Sequence, residues 1–294
     1  MTESVVWGAP IACYLFLAGL AAGAYATAVL ANFKSPEKTT KLQLVGRVAA
    51  PIILAVGLLL LMVDASAGIK NPGRFFLLVS NPASVMSWGV VILAVFEVIA
   101  IISAVLALRK RPAIKALDVI GLFGAFCTAA YTGVLIGVVK TYPLWNTALL
   151  PVLFVVSAFS AGLALVFLVS ALVARSEANE LHVLKRLQIA LPVIEAILIV
   201  MLLLVTSSAN PAALESATRL LSGDLAVPFW LGLVVVGLVL PFFLELIGSR
   251  RSLGANADSG SPAAAVIGGT GTLVGGFMMR YLIIFAAVPL VFVV

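Results

Sequence analysis

The chain has 294 residues, of which 63% are hydrophobic and only 10% are charged, and its net charge is +6. Soluble domains carry about 25% charged residues, so this composition excludes a soluble fold and indicates an all-α integral membrane protein. No basic patch or stacking motif accompanies the positive charge, which argues against a nucleic-acid partner.

Apolar runs separated by charged connections predict about eight transmembrane helices in a single membrane domain, 1–294, because about 20 apolar residues span a bilayer. The first run continues beyond the length of a signal peptide and has no basic residue before it, so we expect a retained helix. Its Gly19 and Gly23 form a GxxxG pattern, which favours helix packing within the protein over self-dimerisation. The predicted spans are 9–33, 43–64, 84–108, 115–139, 146–173, 183–205, 227–247 and 263–290.

The Lys and Arg residues predict the orientation. Thirteen lie in or beside the connections after spans 1, 3, 5 and 7, and four in those after spans 2, 4 and 6. Basic connections stay in the cytoplasm, so both termini are expected on the extracytoplasmic side.

Two further features concern the organisation of the chain. Residues 14–23 can be aligned with 153–162, which suggests a loose repeat of 1–140 and 141–294 as two parallel four-helix bundles; shared apolar composition is the alternative. The outer connection 65–83 contains an apolar stretch too short to span. We expect it to be an interfacial helix or a docking surface for a partner, formed by Arg74, Phe75 and Phe76.

The metal-binding side chains are too few for a resident redox centre. Cys13 and Cys127 are isolated, whereas an iron–sulfur cluster generally needs about four protein ligands. His182 is the only histidine, and a haem in a helix bundle normally takes two. We therefore expect no haem, no iron–sulfur cluster and no metal site in this chain.

Ionisable side chains within a bilayer usually face the protein interior. Asp118 and Glu245 lie near cytoplasmic ends, where a solvated helix cap is the expected role. Glu97, Glu195 and Arg280 lie near the middles of their spans. These three favour either a buried ion pair between the arginine and a glutamate or an interior charged group that transfers protons.

Asp64 closes span 2 on the outer side, where Tyr14 and Tyr131 also lie. A carboxylate and phenols at one depth suit a small molecule with polar oxygens and an apolar tail. A helix cap beside interfacial tyrosines is the alternative.

Five motifs resemble the NrfD-like family, the membrane subunits of polysulfide reductase-type complexes, and they follow that family's order along the sequence. They are WGAPIACYLFLAGLAAGA at 7–24, RFFLLVSNPASVMSWG at 74–89, YTGVLIG at 131–137, PLWN at 143–146 and GGFMMRY at 275–281.

The resemblance implies a quinone-reactive anchor of eight helices in a bacterial or archaeal cytoplasmic membrane. It implies menaquinone or ubiquinone as bound substrate and an iron–sulfur partner subunit, with a molybdopterin subunit or multihaem cytochrome beyond it. Asp64 and Tyr131 would be catalytic, with Tyr14 and Thr128 completing the quinone site. Arg186 would join Glu97, Glu195 and Arg280 in a proton pathway. A secondary transporter is the alternative function, since such proteins also carry charges near the membrane midplane.

Overall fold

The computed structural model describes residues 7–64, 83–173, 177, 181–252 and 262–290, and every regular element within these ranges is helical. The helices are α1 (Ala9–Lys34), α2 (Thr40–Asp64), α3 (Val85–Leu108), α4 (Lys115–Gly137), α5 (Leu149–Val173), α6 (His182–Ser207), α7 (Pro211–Leu221), α8 (a π-helical part Pro228–Val239 continued by Leu240–Ser252) and α9 (Pro262–Ala286).

Eight of these helices are long and apolar enough to cross a membrane: α1 to α6, α8 and α9. The prediction of an all-α protein with eight spans is thus confirmed, and most predicted ends are within three residues of the observed ones. The larger differences are at α8, which extends to Ser252, and at α9, which ends at Ala286 rather than residue 290.

Helix α7 was not predicted, because only one of its faces is apolar. Asn210 caps it by accepting a hydrogen bond from the Ala213 amide at 2.9 Å, and Pro211 occupies its first turn, both common features of helix starts. The helix buries Ala213 and Leu220 and packs against α6, α8 and α9. Helix α7 therefore covers one end of α6, α8 and α9, within the connection between α6 and α8.

The eight long helices form two four-helix groups. In the first, α1 packs against α2, α2 against α3, α3 against α4 and α4 against α1; in the second, the same cycle joins α5, α6, α8 and α9. The groups meet chiefly through α1, which contacts both α5 and α9. An interior polar group can therefore lie within one bundle or where the bundles meet, as Arg280 on α9 does beside Gly19 on α1.

Small residues allow the two bundles to approach closely. A Cβ atom added to Gly23 would lie 2.0 Å from the carbonyl oxygen of Ala158, and one added to Gly162 would lie 2.1 Å from the carbonyl carbon of Gly23. The expected use of the GxxxG pattern for packing within the protein is confirmed. Gly23 and Gly162 also occupy matched positions in the suggested repeat, which itself stays a prediction.

Candidate functional site

Helices α1 and α4 bring Tyr14, Thr128 and Tyr131 together in the first bundle. Tyr14 is fully buried, and its hydroxyl group interacts with Tyr131 but has no hydrogen-bond partner among the described residues. Thr128 is fully buried as well, and its Oγ1 atom likewise lacks a partner within the described part of the chain. Thr128 lies three positions before Tyr131 on α4, so both side chains lie on one helix face.

The ring of Tyr131 lies directly against the backbone of Gly89 on α3. A Cβ atom at residue 89 would be 1.7 Å from Cζ and 1.9 Å from the hydroxyl oxygen of Tyr131. Only glycine leaves room for the ring in this position. Gly89 was not singled out from the sequence, although it ends one of the family motifs.

Tyr14 and Tyr131 lie at one depth, and Thr128 lies about one helical turn deeper. Tyr14 is five residues into α1 and Tyr131 six residues from the end of α4, so each is about 8–9 Å from its helix end at 1.5 Å per residue. A buried hydroxyl without a hydrogen-bond partner costs about 1–3 kcal/mol. The two unpartnered groups are therefore available to a ligand that carries hydrogen-bond acceptors, such as ring carbonyl oxygens.

The remaining residues predicted for this region are only partly described. Asp64 is the last residue of α2, as predicted, but its side chain lies outside the described part of the structure. The docking residues Arg74, Phe75 and Phe76 also lie outside the described residues. Their roles stay predictions.

A second polar cluster occupies the opposite end of the first bundle. Arg47 on α2 donates from Nη1 and Nη2 to the two carboxylate oxygens of Asp118 on α4, at 2.7 and 2.8 Å. Asn32 donates to the same carboxylate at 2.8 Å, and Arg47 also donates to the Ser103 hydroxyl. We call Asn32, Arg47, Ser103 and Asp118 the inner cluster. Its four residues come from the four helices of the first bundle.

The expectation that Asp118 is a solvated helix cap is wrong, because its side chain is fully buried in this cluster. Asp118 does lie in the first turn of α4. However, Arg47 and Asn32 reach it from neighbouring helices and replace the water that a cap would contact. A buried charge needs such a partner, and Arg47 supplies it.

Tyr25 on α1 lies beside the inner cluster. Its hydroxyl group interacts with Ser103 and with the Arg47–Asp118 pair, yet it forms no hydrogen bond of normal geometry to the described residues. The ring is fully buried and packs edge-on against Phe96 on α3, with centroids 5.4 Å apart. Its hydroxyl oxygen would be 2.2 Å from a Cβ atom at Gly121.

The second bundle contains its own charged group. Arg280 on α9 is fully buried and donates to the Ser157 hydroxyl at 3.2 Å and to the Gly276 carbonyl at 2.8 Å. Glu195 on α6 is also buried, interacts with Ser157 and attracts Arg280 electrostatically, but makes no direct ion pair with it among the described residues. The expected Arg280–glutamate ion pair is thus replaced by an arrangement in which Ser157 contacts both groups.

Glu97 does not join that group. It is half-buried on α3, which packs against α2 and α4, whereas Glu195 lies on α6 in the other bundle. Its Oε2 atom is buried and has no hydrogen-bond partner among the described residues. The structure therefore separates the interior charges predicted from sequence into two sets.

The two other predicted polar positions lie at the start of α6 and near the end of α8. Arg186 is exposed on the second turn of α6. Glu245 accepts a hydrogen bond of 2.6 Å from Gln188 and is only half-exposed, so its expected role as a solvated cap is only partly met. Across the described ranges, no three His, Cys, Asp or Glu side chains are grouped to hold a metal ion.

Comparison with known proteins identifies similar sequences. The family described as "Polysulphide reductase, NrfD" matches residues 1–292. The protein is 29% identical to Protein NrfD of Escherichia coli, over 97% of its own length and 95% of that protein. It is 30% identical to a polysulfide reductase chain of Wolinella succinogenes, over 83% of its own length and 84% of that relative. It is 24% identical to a selenate reductase subunit of Mesobacillus selenatarsenatis, over 86% and 69% of the respective lengths.

Proposed function

The chain belongs to the NrfD polysulphide reductase family, and from this premise we propose that it is the quinone-reactive membrane subunit of a respiratory oxidoreductase complex. Relatives named as parts of polysulfide and selenate reductases support a role within such a complex. The buried hydroxyl groups of Tyr14 and Thr128, which have no hydrogen-bond partner among the described residues and lie beside Tyr131, support the quinone site.

The proposed chemistry is the exchange of two electrons and two protons with the quinone ring, in either direction. Each ring oxygen then gains or loses one O–H bond, so hydrogen-bonding groups must reach within about 3 Å of it, directly or through one water. Tyr14, Thr128 and Tyr131 would hold and orient the ring through their hydroxyl groups. Asp64, at the end of α2 on the same side, would exchange the protons.

The proposed partner is an iron–sulfur subunit that docks on the outer face, with a molybdopterin subunit or multihaem cytochrome beyond it. Electrons would pass between its nearest cluster and the quinone. The connection containing Arg74, Phe75 and Phe76 would contribute to this docking. Both termini would then lie on the extracytoplasmic side of the cytoplasmic membrane, as the thirteen-to-four distribution of basic residues indicates.

Glu97, Glu195, Arg186 and Arg280 remain candidates for proton transfer within this function. Because Glu97 lies on α3 in the first bundle and Glu195 on α6 in the second, proton transfer between them would need intervening groups. A secondary transporter would also place charges near the midplane, but the family and its named relatives favour the redox function.

Removing single hydroxyl groups tests the proposal. In the purified complex, Tyr14→Phe and Thr128→Val should each weaken quinone turnover, chiefly by raising the apparent KM, because each deletes one hydrogen-bonding group and keeps the packing. Ser170→Ala is a matched control, since it also removes a buried hydroxyl group that has no partner in the described part of the chain, but from α5. Activity of the partner subunits toward an artificial dye should stay constant in all variants. Unchanged quinone kinetics in both site variants would place the quinone elsewhere.

A further inference from the structure

A groove lies between the end of α4 and the start of α5, where the first bundle packs against the second. Its volume is about 260 Å³. Val134, Val138 and Pro151 form apolar parts of its wall, and Asn146 and Thr147, from the connection between the two helices, form polar parts. Its described lining includes none of the residues assigned to the quinone site, so the groove is a separate feature.

We propose that this groove binds the headgroup of an anionic phospholipid. Lys140 attracts the lipid phosphate, and the acyl chains extend over Val134 and Val138 toward the middle of the membrane. The bound lipid fills the junction between the two bundles. This site does not depend on the quinone function.

The shape of the groove follows from how α4 and α5 meet. They touch at Gly133, where a Cβ atom would lie 2.5 Å from Cα of Pro151. One turn further along α4, at Gly137, the only described atom of the surroundings within 4 Å of a Cβ atom would be the Trp145 carbonyl oxygen, at 3.7 Å. The missing side chain at Gly137 therefore keeps the groove open.

Two exposed tryptophans indicate the depth of the groove in the membrane. Trp88 is the fourth residue of α3 and is 58% exposed, and Trp230 is the third residue of α8 and is 50% exposed. Tryptophan side chains collect at the level of the lipid headgroups. Both helices begin on the side of the protein where α4 ends, at Gly137. The groove therefore lies beside the headgroups.

Lys140 provides a positive charge at this level. It is exposed, two residues beyond Val138, and makes no ion pair with the described residues. The connection 138–148 contains no acidic residue. Arg219, the other basic residue that the structure describes on this side, already pairs with Asp224 at 2.9 Å. The charge of Lys140 is thus available to an anionic ligand.

The polar side chains of the groove offer further hydrogen-bond donors. Asn146 donates one hydrogen bond from Nδ2 to the Gly137 carbonyl oxygen at 3.1 Å, which leaves its second N–H bond. Thr147 Oγ1 accepts from the Leu149 amide at 3.3 Å and keeps its own O–H bond for a ligand. A phosphodiester group accepts such bonds, which are strengthened by its charge. Lys140 would repel the cationic part of a zwitterionic headgroup, which favours an anionic lipid.

The test measures lipid binding to the protein as isolated from membranes, with the subunits that copurify. After delipidation in detergent, dioctanoyl phosphatidylglycerol is titrated and counted by native mass spectrometry, and dioctanoyl phosphatidylcholine serves as the comparison. We expect a site that prefers phosphatidylglycerol. Lys140→Gln should weaken its binding about fivefold, the factor that one basic residue contributes near an anionic lipid surface, whereas Lys140→Arg should keep it. Gly137→Leu should remove the site by filling the groove.

Two control variants should bind phosphatidylglycerol normally. Arg219→Gln removes another positive charge on the same side, and Gly248→Leu adds a side chain where a Cβ atom would have no described atom within 4 Å. Unfolding midpoints without lipid show that each variant is folded, and Lys140→Gln alone decides the outcome where Gly137→Leu is not.

Unchanged phosphatidylglycerol affinity in Lys140→Gln would overturn the proposal, as would unchanged affinity in a folded Gly137→Leu variant. Equal affinity of the unmodified protein for the two lipids would also overturn it, because the site would then not recognise the anionic headgroup. Displacement of the lipid by a short-chain quinone would assign the groove to the quinone instead.

Discussion

The contact between Gly89 and Tyr131 allows the proposed quinone site to be disturbed without changing any of its functional groups. In Gly89→Ala, the new Cβ atom would lie 1.7 Å from Cζ of the Tyr131 ring and 1.9 Å from its hydroxyl oxygen. Carbon atoms in contact are about 3.5–4.0 Å apart. The ring must therefore move by about 2 Å, or α3 must move away from α4.

The expected loss of activity follows from this displacement. A misplacement of about 1 Å in a reacting group can cost about 10²-fold in rate, so we expect quinone turnover of Gly89→Ala to fall by about that factor. The stability effect is smaller, because overpacking costs about 1–3 kcal/mol while alanine is favoured over glycine in a helix by about 1 kcal/mol. The variant should therefore fold and assemble.

The assay is quinone-dependent electron transfer in the purified complex, with dye activity of the partner subunits as a measure of assembly. Gly248→Ala is the matched control, since a Cβ atom there would meet no atom of the described residues within 4 Å, and it should keep full activity. In a Tyr131→Leu background, Gly89→Ala should cost much less than alone, because it acts through the ring. Full quinone turnover in an assembled Gly89→Ala complex would refute the assignment of Tyr131.

Three further predictions concern stability and topology. Arg47→Leu or Asp118→Leu alone should lower the free energy of unfolding by about 3–5 kcal/mol, since each leaves a buried charge unpaired, whereas the double variant should recover much of this loss; equal loss in all three would contradict the pairing. Gly19→Ala should lower the thermal unfolding midpoint, because its Cβ atom would lie 2.7 Å from Nη2 of Arg280, and an unchanged midpoint would show that the guanidinium group moves freely. A reporter that is active only in the cytoplasm should give no signal when fused to the carboxyl terminus, and clear activity there would invert the predicted orientation.

The transmembrane helices could be predicted from the sequence because each is a long apolar run between charged connections. Helix α7 could not, since four of its eleven residues are polar and it is too short to span, although Asn210 and Pro211 mark its start. The π-helical geometry of Pro228–Val239 has no comparable signal in the composition.

The grouping of polar residues in space could not be predicted from the sequence either. Sequence position gives the depth of a residue in its span but not the bundle to which its helix belongs. Glu97, Glu195 and Arg280 were therefore predicted as one group, whereas the packing of α3 and α6 separates Glu97 from the others. From the sequence, Arg47 was counted only as one of the cytoplasmic basic residues. It lies near the depth of Asp118, but only the packing of α2 near α4 shows that the two residues pair.

The central claim is that the quinone ring binds at Tyr14, Thr128 and Tyr131. The most direct measurement is photo-crosslinking of the purified complex with an azido-quinone, followed by mass spectrometry of the labelled peptides. We predict that labels map to α1 around Tyr14 and to α4 between Thr128 and Tyr131, and that excess unmodified quinone suppresses them. Competed labelling confined to the second bundle, or to the partner subunits, would contradict this account.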